Sequence, residues 1–158
     1  MPIPKKIIKF LDKAKVKYEL IKHRIVYTAF DKAATLKVPQ KIVGKTLILK
    51  TNDELTFALI PANKNLDKRK FLKVARVKKA DFVSEAWMKK NLKGVKAGAI
   101  PPFGNLCGLS TFIDKSLVNQ PKIIINGGDY NWSIKITPAS LKKLIPNLVI
   151  GSFSQAKK

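Results

Sequence analysis

Residues 43–60 read VGKTLILKTNDELTFALI. Two apolar runs, Val43 to Lys50 and Leu55 to Ile60, enclose the polar quartet Thr51-Asn52-Asp53-Glu54. The runs favour extended chain and the quartet favours reversal, so the stretch predicts a β-hairpin with a four-residue loop at the heart of the fold. Alternation along the first strand puts Lys45 on the face shared by Val43, Leu47 and Leu49. Its ammonium is therefore flanked by apolar side chains, and a cation in that setting needs an anion.

On the N-terminal side, Ile7, Ile8, Leu11 and Ala14 recur at helical spacing between Pro4 and Lys15, while Lys5, Lys9 and Lys13 form a separate row four residues apart. One face packs and the other is basic. A strand is expected near Tyr18 to Lys22. Thr28-Ala29-Phe30-Asp31 then resembles a capping box opening a helix through Ala33, Ala34 and Leu36.

On the C-terminal side, Asp67 to Val74 predicts a short basic helix and Asp81 to Val83 a short strand, with Ser84 as N-cap for a helix holding Ala86, Trp87 and Met88. The loop Gly94 to Gly108 combines four glycines with the pair Pro101-Pro102, a composition that specifies a fixed path. Strands near Thr111 to Ile113, Lys122 to Ile125 and Ser133 to Ile136 follow. Thr137-Pro138 opens a helix through Leu141 and Leu144 before a last strand at Leu148 to Ile150. Strands and helices intermix without regular βαβ alternation, which predicts an α+β fold with a mixed sheet. The 158 residues suit one domain, residues 1–158, with no internal repeat and no linker.

Charge narrows the partner. Lys and Arg number 32 against 10 Asp and Glu, a net charge of +22. That imbalance points to a polyanion, with a general lysine bias as the competing explanation. Arg24, Arg69 and Arg76 are the arginines, so the basic residues are overwhelmingly lysines, which favour backbone phosphate over base edges. The Lys5, Lys9 and Lys13 row and the group Lys64, Lys68, Arg69 and Lys70 are the candidate RNA-binding residues.

Several chemistries are disfavoured. One His and one Cys cannot assemble a His- or Cys-rich metal site, so neither a metal nor another cofactor is expected. Nothing near Cys107 marks it as an activated nucleophile, and no phosphate-binding glycine loop of the nucleotide-hydrolase kind is present. Carboxylates are too few and too separated for a paired-acid mechanism. The lone cysteine, the opening segment and the absence of a long apolar run fit a cytoplasmic chain with no membrane association.

Several segments, in order, resemble the YbaK/ProRS-editing family of aminoacyl-tRNA deacylases. His23 with Val26-Tyr27-Thr28-Ala29 is similar to its N-terminal substrate-side segment. Val43 to Lys50 resembles its lysine-bearing strand, and Leu59-Ile60-Pro61-Ala62-Asn63 the partner strand and exit. Gly98-Ala99-Ile100-Pro101-Pro102-Phe103-Gly104 carries the family's Gly-x-x-x-Pro loop, and Phe112-Ile113-Asp114 and Asn126-Gly127-Gly128 keep the register. The resemblance runs from about His23 to Leu144.

It implies a strongly curved mixed, mainly antiparallel sheet flanked by helices, and hydrolysis of wrongly charged aminoacyl-tRNA. It further implies Lys45 and the Gly98 loop as catalytic: Lys45 on the phosphate or ribose of the terminal adenosine, the loop amides on the oxyanion. His23, Tyr27, Thr28 and Phe30 are substrate candidates, together with Ala99, Ile100, Pro101, Pro102, Phe103 and Gly104 of the loop and Gly127, Gly128 and Asp129 of the late turn. His23 is weighed against a packing role, and Phe30 against a place in the core. Two departures concern specificity. Asp129-Tyr130-Asn131 stands where many relatives have a histidine or similar polar group, and Lys96 stands where an acid is common. The partner implied is tRNA, with an aminoacyl-tRNA synthetase or elongation factor as the protein partners to consider. A non-catalytic RNA-binding protein and an amino-acid-sensing regulator remain the alternative readings.

Overall fold

The computed structural model describes residues 5–52, 54–91, 96 and 98–157. Pro4, Asp53, Gly94, Val95 and Ala97, and the side chain of Cys107, lie outside the described part.

The hairpin is the axis of a five-stranded sheet. β1 (Glu19–Lys22) belongs elsewhere. β2 (Gly44–Thr51) pairs antiparallel with β3 (Glu54–Pro61), and the pairing runs from Gly44↔Pro61 to Thr51↔Glu54. The loop is therefore shorter than the four residues expected from the sequence. Thr51 and Glu54 face each other as the last pair, and Asn52 takes φ 51°, the left-handed geometry that tight two-residue hairpin turns demand. β4 (Lys64–Leu66) also lies outside this sheet; with β5 (Ala80–Phe82), β6 (Ser110–Asp114) and β9 (Val149–Gly151) added, the order is β5-β2-β3-β6-β9, and β3, β6 and β9 run parallel.

A second sheet is antiparallel, in the order β1-β8-β7, built with β7 (Ile123–Asn126) and β8 (Trp132–Ile136). A parallel bridge from Val43 to Ile124 joins it to the first sheet. A short C-terminal strand, β10 (Ser154–Ala156), pairs antiparallel with β4. Five of these seven strand pairings are antiparallel and two parallel, the mixed, mainly antiparallel α+β arrangement expected.

Helices cover the sheets because each carries one apolar stripe. α1 (Lys5–Lys13) buries Ile7 and Leu11 in a core shared with Leu59, Ile113, Ile125, Ile134 and Leu141. α3 (Lys68–Ala75) lays Phe71 on the other face of β3, edge-to-face with Phe112 and Phe153. Central β3 is thus buried on both faces, which is why Leu55 to Ile60 reads as a continuous apolar run with one threonine rather than an alternation. α2 (Ala29–Leu36) starts where the sequence places it, with the Asp31 N–H donating to the Thr28 hydroxyl at 3.1 Å. α4 (Glu85–Asn91) is capped the same way by Ser84, and α5 (Lys115–Val118) and α6 (Pro138–Leu144) complete the set.

Candidate active site

β2 has a gap along one edge, and that gap makes the cleft. β7 touches this edge at Val43, and β5 joins it at Leu49–Thr51. Between them, among the described residues, no strand pairs with Gly44–Leu47 along this edge. A cleft of about 740 Å³ opens there, within the range of small-molecule sites. Lys45, Thr46, Leu47 and Ile48 form its floor, Asn126 its β7 end, and Phe82 and Val83 its β5 end. The start of α2 contributes Tyr27, Thr28, Ala29, Phe30 and Asp31, and the loop contributes Gly98.

The structure thus brings Lys45 and Gly98, 53 positions apart in the chain, to one cavity. Lys45 is half-buried, and burial, with the Lys157 ammonium adding to it, pushes its amine below the ordinary lysine value. Gly98 has φ +84°, and a Cβ there would collide with the Tyr27 carbonyl oxygen. The loop crosses the Tyr27 backbone at a distance that only glycine permits. Tyr27 and Phe30, 62% and 56% exposed, stand at the rim, so Phe30 is not a core residue. Tyr27 rests edge-to-face on Tyr130, with ring centres 4.7 Å apart.

Other residues anticipated as substrate contacts support the cleft without lining it. Ala99 spends both backbone groups on the fold, donating to the Lys96 carbonyl and accepting from Gly128 N–H. Ile100 is buried against Ile48 and Phe57. Pro101 is partly exposed, whereas the Pro102 carbonyl accepts from the Thr111 hydroxyl, which itself accepts from Gly104 N–H. Phe103 is core, stacked at a tilt on Phe10. Gly127 is buried, and Gly128 takes φ 96° to turn the chain back against the loop.

Asp129 is already engaged. Burial alone would raise its carboxyl, but hydrogen bonds from Lys96 at 2.8 Å and from Tyr130 N–H hold it below the ordinary range. The two departures from the family pattern, Lys96 and Asp129, therefore neutralise each other as an ion pair.

His23 lies outside the cleft lining. Its Nδ1 is 2.7 Å from the Arg24 carbonyl, which can only accept, so Nδ1 carries the proton and Nε2 accepts from the Ser133 hydroxyl at 2.8 Å. Burial lowers the imidazole pKa, the Arg24 carbonyl opposes this, and the Lys32 charge adds to the lowering. A neutral ring with both nitrogens engaged is a packing group and a poor base. Of the candidate RNA ligands, Lys5, Lys9 and Lys13 are exposed on α1, and Arg69 and Lys70 on α3. Lys64 is half-buried on β4, and Lys68 forms an ion pair with Asp81.

Four contributors escaped the sequence reading. Lys32 is only 4% exposed, and its Nζ donates to the Asn126 side-chain oxygen at 2.5 Å. Asn126 in turn donates to the Ile100 carbonyl at 3.0 Å, bracing the loop from behind. Burial pulls the Lys32 pKa down to about 8. Thr46 carries a buried hydroxyl with no hydrogen-bond partner among the described residues, and Lys157 enters from beyond β10.

A ridge of unpaired strand edge, a half-buried ammonium and a glycine-dependent turn can together hold a phosphorylated ester and donate amides to it. Over 147 residues, 88% of both chains, the protein is 29% identical to the prolyl-tRNA editing protein ProX of Acetoanaerobium sticklandii. A candidate trans-editing enzyme for prolyl-tRNA synthetase superposes with a TM-score of 0.81 at 18% identity, covering 99% of each chain. The crystal structure of a hypothetical protein superposes with a TM-score of 0.86 at 22% identity, over 96% of this chain and 100% of the other. The profile of the aminoacyl-tRNA editing domain matches residues 23–144, spanning both Lys45 and Gly98, and the chain belongs to that family.

Proposed function

We propose that the protein deacylates mischarged aminoacyl-tRNA in trans, cleaving the ester that joins the amino acid to the terminal ribose. The observation that carries this reading is the convergence of Lys45 and Gly98 on one cleft. The ester is already activated, so catalysis needs water in place and donors for the oxyanion, one of which is worth about 3 kcal/mol of barrier. Gly98 supplies the close backbone approach for that role, since Ala99 has committed both its groups. Lys45 holds the phosphate or ribose of the terminal adenosine. The ribose hydroxyl beside the ester helps activate the water. Tyr27, Thr28 and Phe30 bound the acyl group at the rim.

Similarity to ProX favours tRNA for proline as the carrier. The test is a deacylation panel of alanyl-, cysteinyl-, seryl- and threonyl-esters on tRNA for proline and on other tRNAs, with wild type and Lys45→Ala side by side. Release by the wild type should fall on the order of 100-fold in Lys45→Ala. Undiminished release by the variant would remove Lys45 from the mechanism. A variant that still binds tRNA, paired with a wild type that releases nothing, would favour a purely RNA-binding protein.

A further inference from the structure

Lys157 lies beyond residues 23–144, the part of the chain that matches the family, yet it lines the same cleft as Lys45. Its position is fixed by the residues before it. Phe153 is fully buried against Phe71, and its N–H donates to the Asp114 carboxylate at 2.9 Å. The Ser154 hydroxyl donates to the other oxygen of the same carboxylate at 2.8 Å. β10 then pairs with β4 through Ala156↔Lys64, so the anchor ends one residue before Lys157.

The charges are also informative. Lys157 is close enough to Lys45 to oppose its protonation. Among the described residues the ion pairs are Lys68 and Lys79 with Asp81, and Lys96 with Asp129. The cleft carboxylates, Asp31 and Glu85, therefore pair with neither lysine. Two ammonium groups held near each other with no ion-pair partner among the described residues repel, and an anion between them relieves that repulsion.

We propose that Lys157 is a second phosphate ligand of the cleft, which with Lys45 grips the phosphodiester preceding the terminal nucleotide of the RNA. This rests on the deacylase reading above. Lys157 is exposed at the rim whereas Lys45 is half-buried on the floor, so Lys157 contributes to holding the RNA rather than to the chemical step.

The experiment compares Lys157→Ala, Lys157→Arg and, as a control for lost surface charge, Lys122→Ala, an exposed lysine outside the cleft. Deacylation kinetics on the mischarged tRNA that the wild type releases should show KM raised roughly tenfold in Lys157→Ala, with kcat little changed. Lys157→Arg should restore most of the loss, and Lys122→Ala should match the wild type. In a parallel arm, NMR titration should show the dinucleotide CpA, which carries the phosphodiester, binding tighter than adenosine, with only CpA weakened by Lys157→Ala. The proposal is overturned if Lys157→Ala behaves as Lys122→Ala does, if CpA gains nothing over adenosine, or if both ligands lose equally. A wild type that deacylates nothing sinks the functional reading, and the CpA arm still decides on Lys157.

Discussion

Gly98 has no tolerance for a side chain: its φ of +84° is one L residues rarely adopt, and the Tyr27 carbonyl occupies the space a Cβ would need. Gly98→Ala should therefore displace the loop and lower deacylation on the order of 100-fold, with circular dichroism showing an unchanged fold. Full activity in that variant would show that the loop does not form the oxyanion site. Gly98, Lys45 and the Tyr27 to Phe30 segment were readable because each is marked locally, by a glycine-proline loop, a lysine in an apolar strand and a capping threonine. Lys32 carries no local mark. It is one lysine of many, on a short helix, and its burial is decided by Asn126, 94 positions away. His23 was half-readable for the converse reason. A lone histidine is conspicuous, but its neutral state follows from the Arg24 carbonyl and the Ser133 hydroxyl, the latter supplied by a strand 110 positions distant.

Most helices with a capping residue and most strands with apolar runs were legible as elements, whereas the four-residue α5, although capped by Asp114, and the short strands β4 and β10 were not. Ser154–Ala156 reads SQA, polar and short, and it is held extended by pairing with β4 and by Asp114 behind it. Asp114 is 3% exposed, and it accepts from Phe153 N–H, from the Ser154 hydroxyl, and from the Ser116 N–H and hydroxyl. Burial alone would raise its carboxyl. The Ser116 hydroxyl, the Phe153 N–H, the Ser154 hydroxyl and the Ser116 N–H outweigh burial and hold it below the ordinary aspartate value of 3.8. Because the folded value is the lower one, this contribution is complete above the unfolded value and is lost as pH falls through the folded one. Asp114→Asn should cost about 3 kcal/mol at neutral pH, and chemical denaturation should show less acid sensitivity than the wild type below pH 3.8. Parallel acid profiles for the two proteins would show that Asp114 does not carry the charge that ties β10 down.

The molecule as a whole carries +22, and no helix among the described residues is long and apolar enough to cross a membrane. In the large-scale reading of the sequence the polyanionic partner came from composition and the α+β class from the order of the elements, neither of which needs knowledge of contacts. The division of the strands into separate sheets, and the gap that division leaves on β2, depends on where β5 and β7 attach, which no local pattern encodes. Binding of tRNA should weaken with salt along a log–log slope of about 0.7 to 0.9 per neutralised phosphate, read by filter binding across a salt series. A flat response would mean that the lysines are general surface charge.

The bare margin of β2 also has a bearing on solubility. Exposed strand edges zip onto matching edges of other copies and so start aggregates. Lys45 and Lys157 stand at this one, so a second molecule arriving edge-on meets its own charge. Neutral substitution of both would weaken the guard against self-association along with the hold on RNA.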